Sequence, residues 1–307
     1  MKPVIAYLGL GAMGSPMAAR LLEAGYPLAI WNRNPVKAAA LAERGARLAA
    51  DPTKAVADAD FVFSMVADDA ALEEICLGSG RMVAAMKPGA LHASMSTILP
   101  ATARRLALCH RRQGTAYVAA PVFGRPEAAA AGRLWICLSG AADDRQRLLP
   151  ILTPLCLRHY GFGDDVGAAN VVKLAGNFMI AAAIEAMAEA FVFGEKNGLK
   201  QEGLADFFAS TLFSCPIYQN YGRIIAARQF EPAGFRLALG RKDVHLVAET
   251  ARISDVPMPI LGTLLNRFAA RVAKGGSELD WTSIAIDVAV DAGLDREPTN
   301  GVLQSSA

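Results

Sequence analysis

Pro3-Val4-Ile5-Ala6-Tyr7-Leu8-Gly9-Leu10-Gly11-Ala12-Met13-Gly14 is the stretch that decides the fold. Apolar residues run straight into G-x-G-x-x-G, and a helical pattern from Ser15 to Ala24 begins at once. In a strand–turn–helix unit each glycine has a task. Gly9 permits the tight turn, Gly11 lets the backbone approach a pyrophosphate, and Gly14 lets the helix lie close on the strand. The orphan N–H groups and the dipole at the helix N-terminus then favour phosphate charge. A glycine-rich turn without a ligand is the bland alternative. The position directly after a buried-type strand favours dinucleotide binding by Gly9, Leu10, Gly11, Ala12, Met13 and Gly14.

Working outward, the first half alternates strand-like and helix-like segments. Pro27 to Trp31, Phe61 to Val66, Ala90 to Ala93, Ala116 to Val122, Leu134 to Ser139 and Arg158 to Gly161 read as strands. Pro35 to Gly45, Pro100 to Gly114 and Asp143 to Leu157 read as helices, and Asp51-Pro52 as an N-cap with proline at the first helical position. Alternation of this kind predicts an α/β fold with a parallel, doubly wound Rossmann sheet. From Gly167 nearly everything to Val290 has helical periodicity, with breaks at Gly198, Pro216, Pro232-Ala233-Gly234, Pro257/Pro259 and Gly275-Gly276. The predicted organisation is a dinucleotide-binding domain over 1–164, an all-α domain over 165–295, and a flexible tail over 296–307. One long helix, Ala168 to Asn197, is expected to join the two domains.

Composition narrows the function. The chain has 307 residues, is 53% hydrophobic and 20% charged, and carries a net charge of +2. That gives no reason to expect nucleic acid as a partner. Its five cysteines are scattered and form no C-x-x-C pair, which suits small buried residues in a reducing cytoplasm. No two of the four histidines have metal-ligand spacing, so no metal is expected. No secretory leader is read at Met1-Lys2-Pro3. The most apolar stretch, Phe178 to Phe193, contains Glu185 and Glu189 and reads as a core helix rather than a membrane span. The two acids read as packing partners rather than as a catalytic pair.

The end of the second strand reads Asn32-Arg33-Asn34, where an NAD-binding chain would place a carboxylate for the ribose 2′-OH. Without that acid, and with the planar fork of Arg33 suited to phosphate and Lys37 one turn on, NADP is preferred over NAD. A solvated surface arginine is the competing reading of Arg33. Val66 and Ala67, leaving another strand at the same sheet edge, join the cofactor candidates.

Three further stretches leave strands or open the long helix: Ser94 to Pro100, Ala120 to Pro126, and Gly167 to Asn177. Together with the opening G-L-G-x-M-G-x-x-M-A and with Lys242-Asp243-Val244-His245-Leu246-Val247, they resemble the β-hydroxyacid dehydrogenase family over Pro3 to about Val290. Its members include 3-hydroxyisobutyrate dehydrogenase and semialdehyde reductases. The family pattern is changed at Ser94 (acid), Ala169 (second glycine), Phe123 (serine) and Arg125 (glycine). The resemblance implies Lys173 as catalytic acid/base, with Asn177 one turn further on orienting it or the substrate. It implies Ser96 holding the substrate's acid group, Thr97 beside the nicotinamide, Val122, Phe123, Gly124 and Arg125 around the substrate, and Lys242 near the cofactor. Phe123 removes a hydroxyl anchor and offers an apolar wall. Arg125 either adds a cation for an acid group or faces water. An isolated surface lysine is the alternative for Lys173, but its apolar setting, Val171-Val172-Lys173-Leu174-Ala175, argues against that.

The reaction implied is hydride transfer between NADPH and a small aldehyde or keto acid, with the protein supplying a proton near neutral pH. An imine reductase shares these features but generally lacks the lysine. A non-catalytic dinucleotide-binding scaffold is the reading of another class. A homodimer or homotetramer is expected from the resemblance and from the alanine-rich helical half.

Overall fold

The computed structural model describes residues 2–79 and 81–294. The expected tail over 296–307 lies outside them. The chain divides into two compact units after Leu174. The boundary read at 164/165 therefore moves into the long helix, whose first two turns belong with the sheet. Each unit is described by itself.

The first unit contains β1 (Ile5–Leu8), α1 (Gly14–Glu23), β2 (Leu28–Trp31), α2 (Ala39–Glu43), β3 (Arg47–Leu48), α3 (Pro52–Val56), β4 (Phe61–Ser64), α4 (Asp69–Cys76) and α5 (Met82–Ala85). It continues with β5 (Leu91–Ser94), α6 (Pro100–Arg112), β6 (Ala116–Ala119), β7 (Val122–Phe123), α7 (Pro126–Ala130), β8 (Leu134–Leu138), α8 (Ala142–Leu152) and β9 (Cys156–Gly161). Among the described residues, six strands form one parallel sheet in the order β3-β2-β1-β4-β5-β6. Strand order reverses at β1, between β2 and β4, and such a switch point opens a crevice at the carboxyl ends of the strands.

Both faces are covered. Along β1, Ile5 and Tyr7 enter one apolar cluster with Met17 and Leu21 of α1, while Ala6 and Leu8 enter the opposite one with Val56, Leu72 and Met82. That period of two explains why the strand reads as an unbroken apolar run. At α3, Asp51 caps the helix by accepting the N–H of Lys54 at 2.8 Å, with Pro52 following, as the sequence predicts.

The remaining strands depart from the expected single parallel sheet. β7, β8 and β9 make a separate three-stranded sheet in which β7 runs antiparallel to β8 and β8 parallel to β9. The run read as one strand, Ala116 to Val122, is broken at Ala120-Pro121. Pro121 has no N–H for the ladder, and beyond it Val122 pairs with Ile136 and Phe123 with Trp135.

The second unit is helical. α9 (Ala168–Lys196) begins in the first unit and continues here, followed by α10 (Gln201–Ser210), α11 (Pro216–Ala227), α12 (Leu237–Ile253), α13 (Pro259–Ala273) and α14 (Ile284–Asp291). The breaks fall where expected: Gly198 (φ +85°) follows α9, Pro216 and Pro259 open α11 and α13, and Gly275 (φ +85°) follows α13. Glu185 of α9 is buried and pairs with Arg267 of α13 at 2.8 Å, so the acid inside the apolar helix has a specific partner. Buried Asp280 ties the loop before α12 to the segment before α14 by accepting the N–H groups of Gly234, Phe235 and Thr282.

Candidate active site

The glycine turn is built by close approach. Gly9 has φ +96°, and a Cβ there would lie 2.3 Å from the carbonyl oxygen of Met65, the residue after β4. A Cβ on Gly14 would lie 1.9 Å from the carbonyl oxygen of Gly9. No atom lies within 4 Å of where a Cβ of Gly11 would sit. Two glycines are thus fixed by protein backbone, whereas the middle one faces open space at the start of α1. This is the arrangement a pyrophosphate needs, and the turn fits a dinucleotide.

Asn32, at the end of β2, braces this turn. Its side-chain oxygen accepts the N–H of Leu10 at 2.8 Å, and its amide nitrogen donates to the carbonyl oxygen of Asn34 at 2.8 Å. Asn34 caps the next turn by accepting the N–H of Val36. Arg33 and Lys37 are exposed beside them. Ser96 is buried, and its hydroxyl oxygen accepts the N–H of Val66 at 2.9 Å, so it ties the segment after β5 to that after β4. Ala67 is exposed and Thr97 half-buried nearby in sequence.

Val122 gives its side chain to the apolar core. Phe123 is half-buried, and Gly124 has φ +140° with a would-be Cβ 2.6 Å from Leu134 Cδ2, so glycine is required there. The Lys173 ammonium sits 4.1 Å from the centre of the Phe123 ring. Arg125 is half-buried two residues on. Cys137 of β8 is within electrostatic reach of the same lysine. Burial pushes its thiol up, and the Lys173 charge partly offsets that. One turn before Lys173, Asn170 is buried with neither end of its amide hydrogen-bonded.

In the helical unit, Asn177 is buried and donates its amide to Asp243 of α12. The Lys242 ammonium lies 2.9 Å from the other oxygen of that carboxylate. Asp243 thus joins two residues singled out from the sequence. Its signal, an acid adjoining Lys242, was legible, but its partner on α9 was not.

Comparison with known proteins agrees with this geometry. Residues 4–161 match the family described as the NAD binding domain of 6-phosphogluconate dehydrogenase. Residues 167–306 match that described as the NAD-binding domain of NADP-dependent 3-hydroxyisobutyrate dehydrogenase. An uncharacterized oxidoreductase, YfjR, of Bacillus subtilis is 38% identical over 91% of this chain and 98% of its own. The chain belongs to the β-hydroxyacid dehydrogenase family. A 3-hydroxyisobutyrate dehydrogenase of Pseudomonas aeruginosa is 30% identical over 91% of this chain and 96% of its own. The solved 3-hydroxyisobutyrate dehydrogenase of Mycobacterium tuberculosis with L-serine is 28% identical, with a TM-score of 0.84 over 94% of this chain and 99% of its own. A solved imine reductase from a Pseudomonas species shares the fold, at 24% identity and a TM-score of 0.64 over 94% of this chain and 99% of its own. The chain is therefore an oxidoreductase of the hydroxyacid dehydrogenase type that uses a nicotinamide dinucleotide.

Proposed function

We propose that the enzyme reduces a small aldehyde or keto acid with NADPH, reversibly to the hydroxy acid, with Lys173 as proton donor and acceptor. The observation that carries this reading is the placement of Lys173. It is the only charged residue from Ala168 to Leu174, half-buried in the first turns of α9, with its ammonium held against Phe123. When bound, the reduced nicotinamide supplies the hydride. The ammonium of Lys173 gives a proton to the alkoxide oxygen that develops at the substrate carbonyl. In the reverse direction the neutral amine takes it back. Asp243 takes the amide N–H of Asn177 and so fixes the orientation of that side chain.

The preference for NADPH rests on the end of β2. It carries no carboxylate, and exposed Arg33 pairs with no acid among the described residues. We also assign the enzyme to the cytoplasm as a homo-oligomer. Five unbridged cysteines support the first. Exposed apolar side chains on the helical unit, among them Met179, Phe193, Phe207 and Leu212, support the second.

The test is consumption of NADPH and NADH in parallel with glyoxylate, succinic semialdehyde, tartronate semialdehyde and one cyclic imine. Turnover of a semialdehyde acid, lowered about 100- to 10,000-fold by Lys173→Ala, is expected. Full turnover by Lys173→Ala, or turnover of the imine alone, would overturn the assignment.

A further inference from the structure

The contact between Lys173 and Phe123 does more than place the lysine. Phe123 belongs to a rigid platform. Its backbone pairs with Trp135 across the β7–β8 ladder, and Gly124 turns tightly against Leu134. One side of the ring packs against the apolar cluster that holds Cys137 and Ala169. The cation sits at 4.1 Å from the ring centre, well inside the distance at which a ring quadrupole attracts a cation. A neutral amine gains nothing comparable from that face, so the contact distinguishes the two protonation states of the lysine.

We propose that Phe123 is a positioning residue: it fixes the Lys173 side chain and holds the proton on it, biasing the enzyme toward carbonyl reduction. The proposal rests on the reading of Lys173 as the proton donor. Cys137 and the sequence neighbours of the lysine on α9 fit it. Cys137, on β8, is kept neutral by burial and adds no anion. The first turns of α9 contribute no acid from Ala168 to Leu174. The ring face therefore favours the charged form of the lysine. The same clamp removes rotamer freedom from a long side chain before substrate arrives.

The test reads the lysine itself. Competitive acylation of the full-length enzyme with acetic anhydride across pH 6 to 11, followed by mass spectrometry of the Lys173 peptide, gives its titration midpoint without any substrate. Phe123→Leu, which keeps apolar bulk and removes the ring, is expected to lower that midpoint by roughly half to one and a half pH units. Phe123→Tyr is expected to restore it. A trifluorinated phenylalanine at position 123 keeps the ring's shape and weakens its face. It is expected to give the same fall without relying on how the Phe123→Leu variant packs. A midpoint unchanged by both Phe123→Leu and the fluorinated ring overturns the proposal. Full turnover by Lys173→Ala would instead remove the catalytic role of the lysine while leaving the measured contact intact, so the two failures are separable.

Discussion

Lowering the pH from 7 to 5 will destabilise the sheet-containing unit through two buried histidines. His92 on β5 and His110 near the end of α6 are both fully buried. Ser64 Oγ lies 2.8 Å from His92 Nε2, His92 Nδ1 lies 3.0 Å from His110 Nε2, and His110 Nδ1 lies 2.9 Å from Thr115 Oγ1. Thr115 gives its proton to the carbonyl oxygen of His110 at 3.1 Å, so its oxygen accepts from His110 Nδ1. That places one proton on each Nδ1 and leaves each Nε2 as acceptor, a chain complete with both rings neutral. Burial and the adjacent imidazole hold His92 well below the ordinary imidazole range, and burial pushes His110 down to about 4. An unfolded histidine titrates near 6.5, so below pH 7 the unfolded chain binds more protons than the native one. The stabilisation is complete above about pH 7 and is lost progressively as the pH falls toward the folded values. From pH 7 to 5 the His110 ring removes on the order of 2 kcal/mol, a large part of a domain's usual ~5–15 kcal/mol, and His92 acts in the same direction. Urea unfolding followed by circular dichroism at pH 7, 6 and 5 measures the slope. A His92→Gln/His110→Gln variant should be weaker at pH 7 yet nearly flat across this window. A wild-type loss below about 1 kcal/mol, or the same slope in the double variant, would refute the argument.

Other residues give equally definite expectations. Arg33→Ala should raise KM for NADPH about 10- to 100-fold while leaving NADH nearly unchanged, as loss of a charge-assisted phosphate contact requires. Parallel KM measurements decide it. Gly14→Ala should abolish measurable dinucleotide affinity by calorimetry, because its methyl group would meet the carbonyl oxygen of Gly9 at 1.9 Å. Arg267→Met should strand buried Glu185, whose pKa burial already raises against the opposing pull of Arg267. The cost should be about 3–5 kcal/mol near pH 8 and smaller near pH 5, where the carboxyl takes up a proton. Urea midpoints at the two pH values test the difference.

Much of this molecule was legible because its signals are local. The strand before Gly9, the cap at Asp51 and the breaks at Pro216, Pro259 and Gly275 each depend on a few adjacent residues. The failures share another cause. Pro121 breaks a strand whose composition stays strand-like on both sides, and only pairing with β8 shows that Val122 and Phe123 left the parallel sheet. The resemblance marks Ser96 for the substrate, but its tie to Val66, after another strand, is not legible in the sequence. The pairing of Asp243 escaped notice because its partner, Asn177, is distant in sequence. The cation–π contact of Lys173 likewise joins elements fifty residues apart. Periodicity and spacing carry no information about such pairings.

Asn32 has a consequence for changing coenzyme preference. Its amide is spent at both ends, on the N–H of Leu10 and on the carbonyl oxygen of Asn34. A carboxylate installed there to favour NAD would keep the first bond. It would also set its second oxygen against the Asn34 carbonyl, with two acceptors facing each other. Position 32 is also the brace of the glycine turn, so a change of side chain there is coupled to the integrity of that loop. A carboxylate placed at position 32 must therefore be accompanied by rebuilding of the Asn32–Val36 turn.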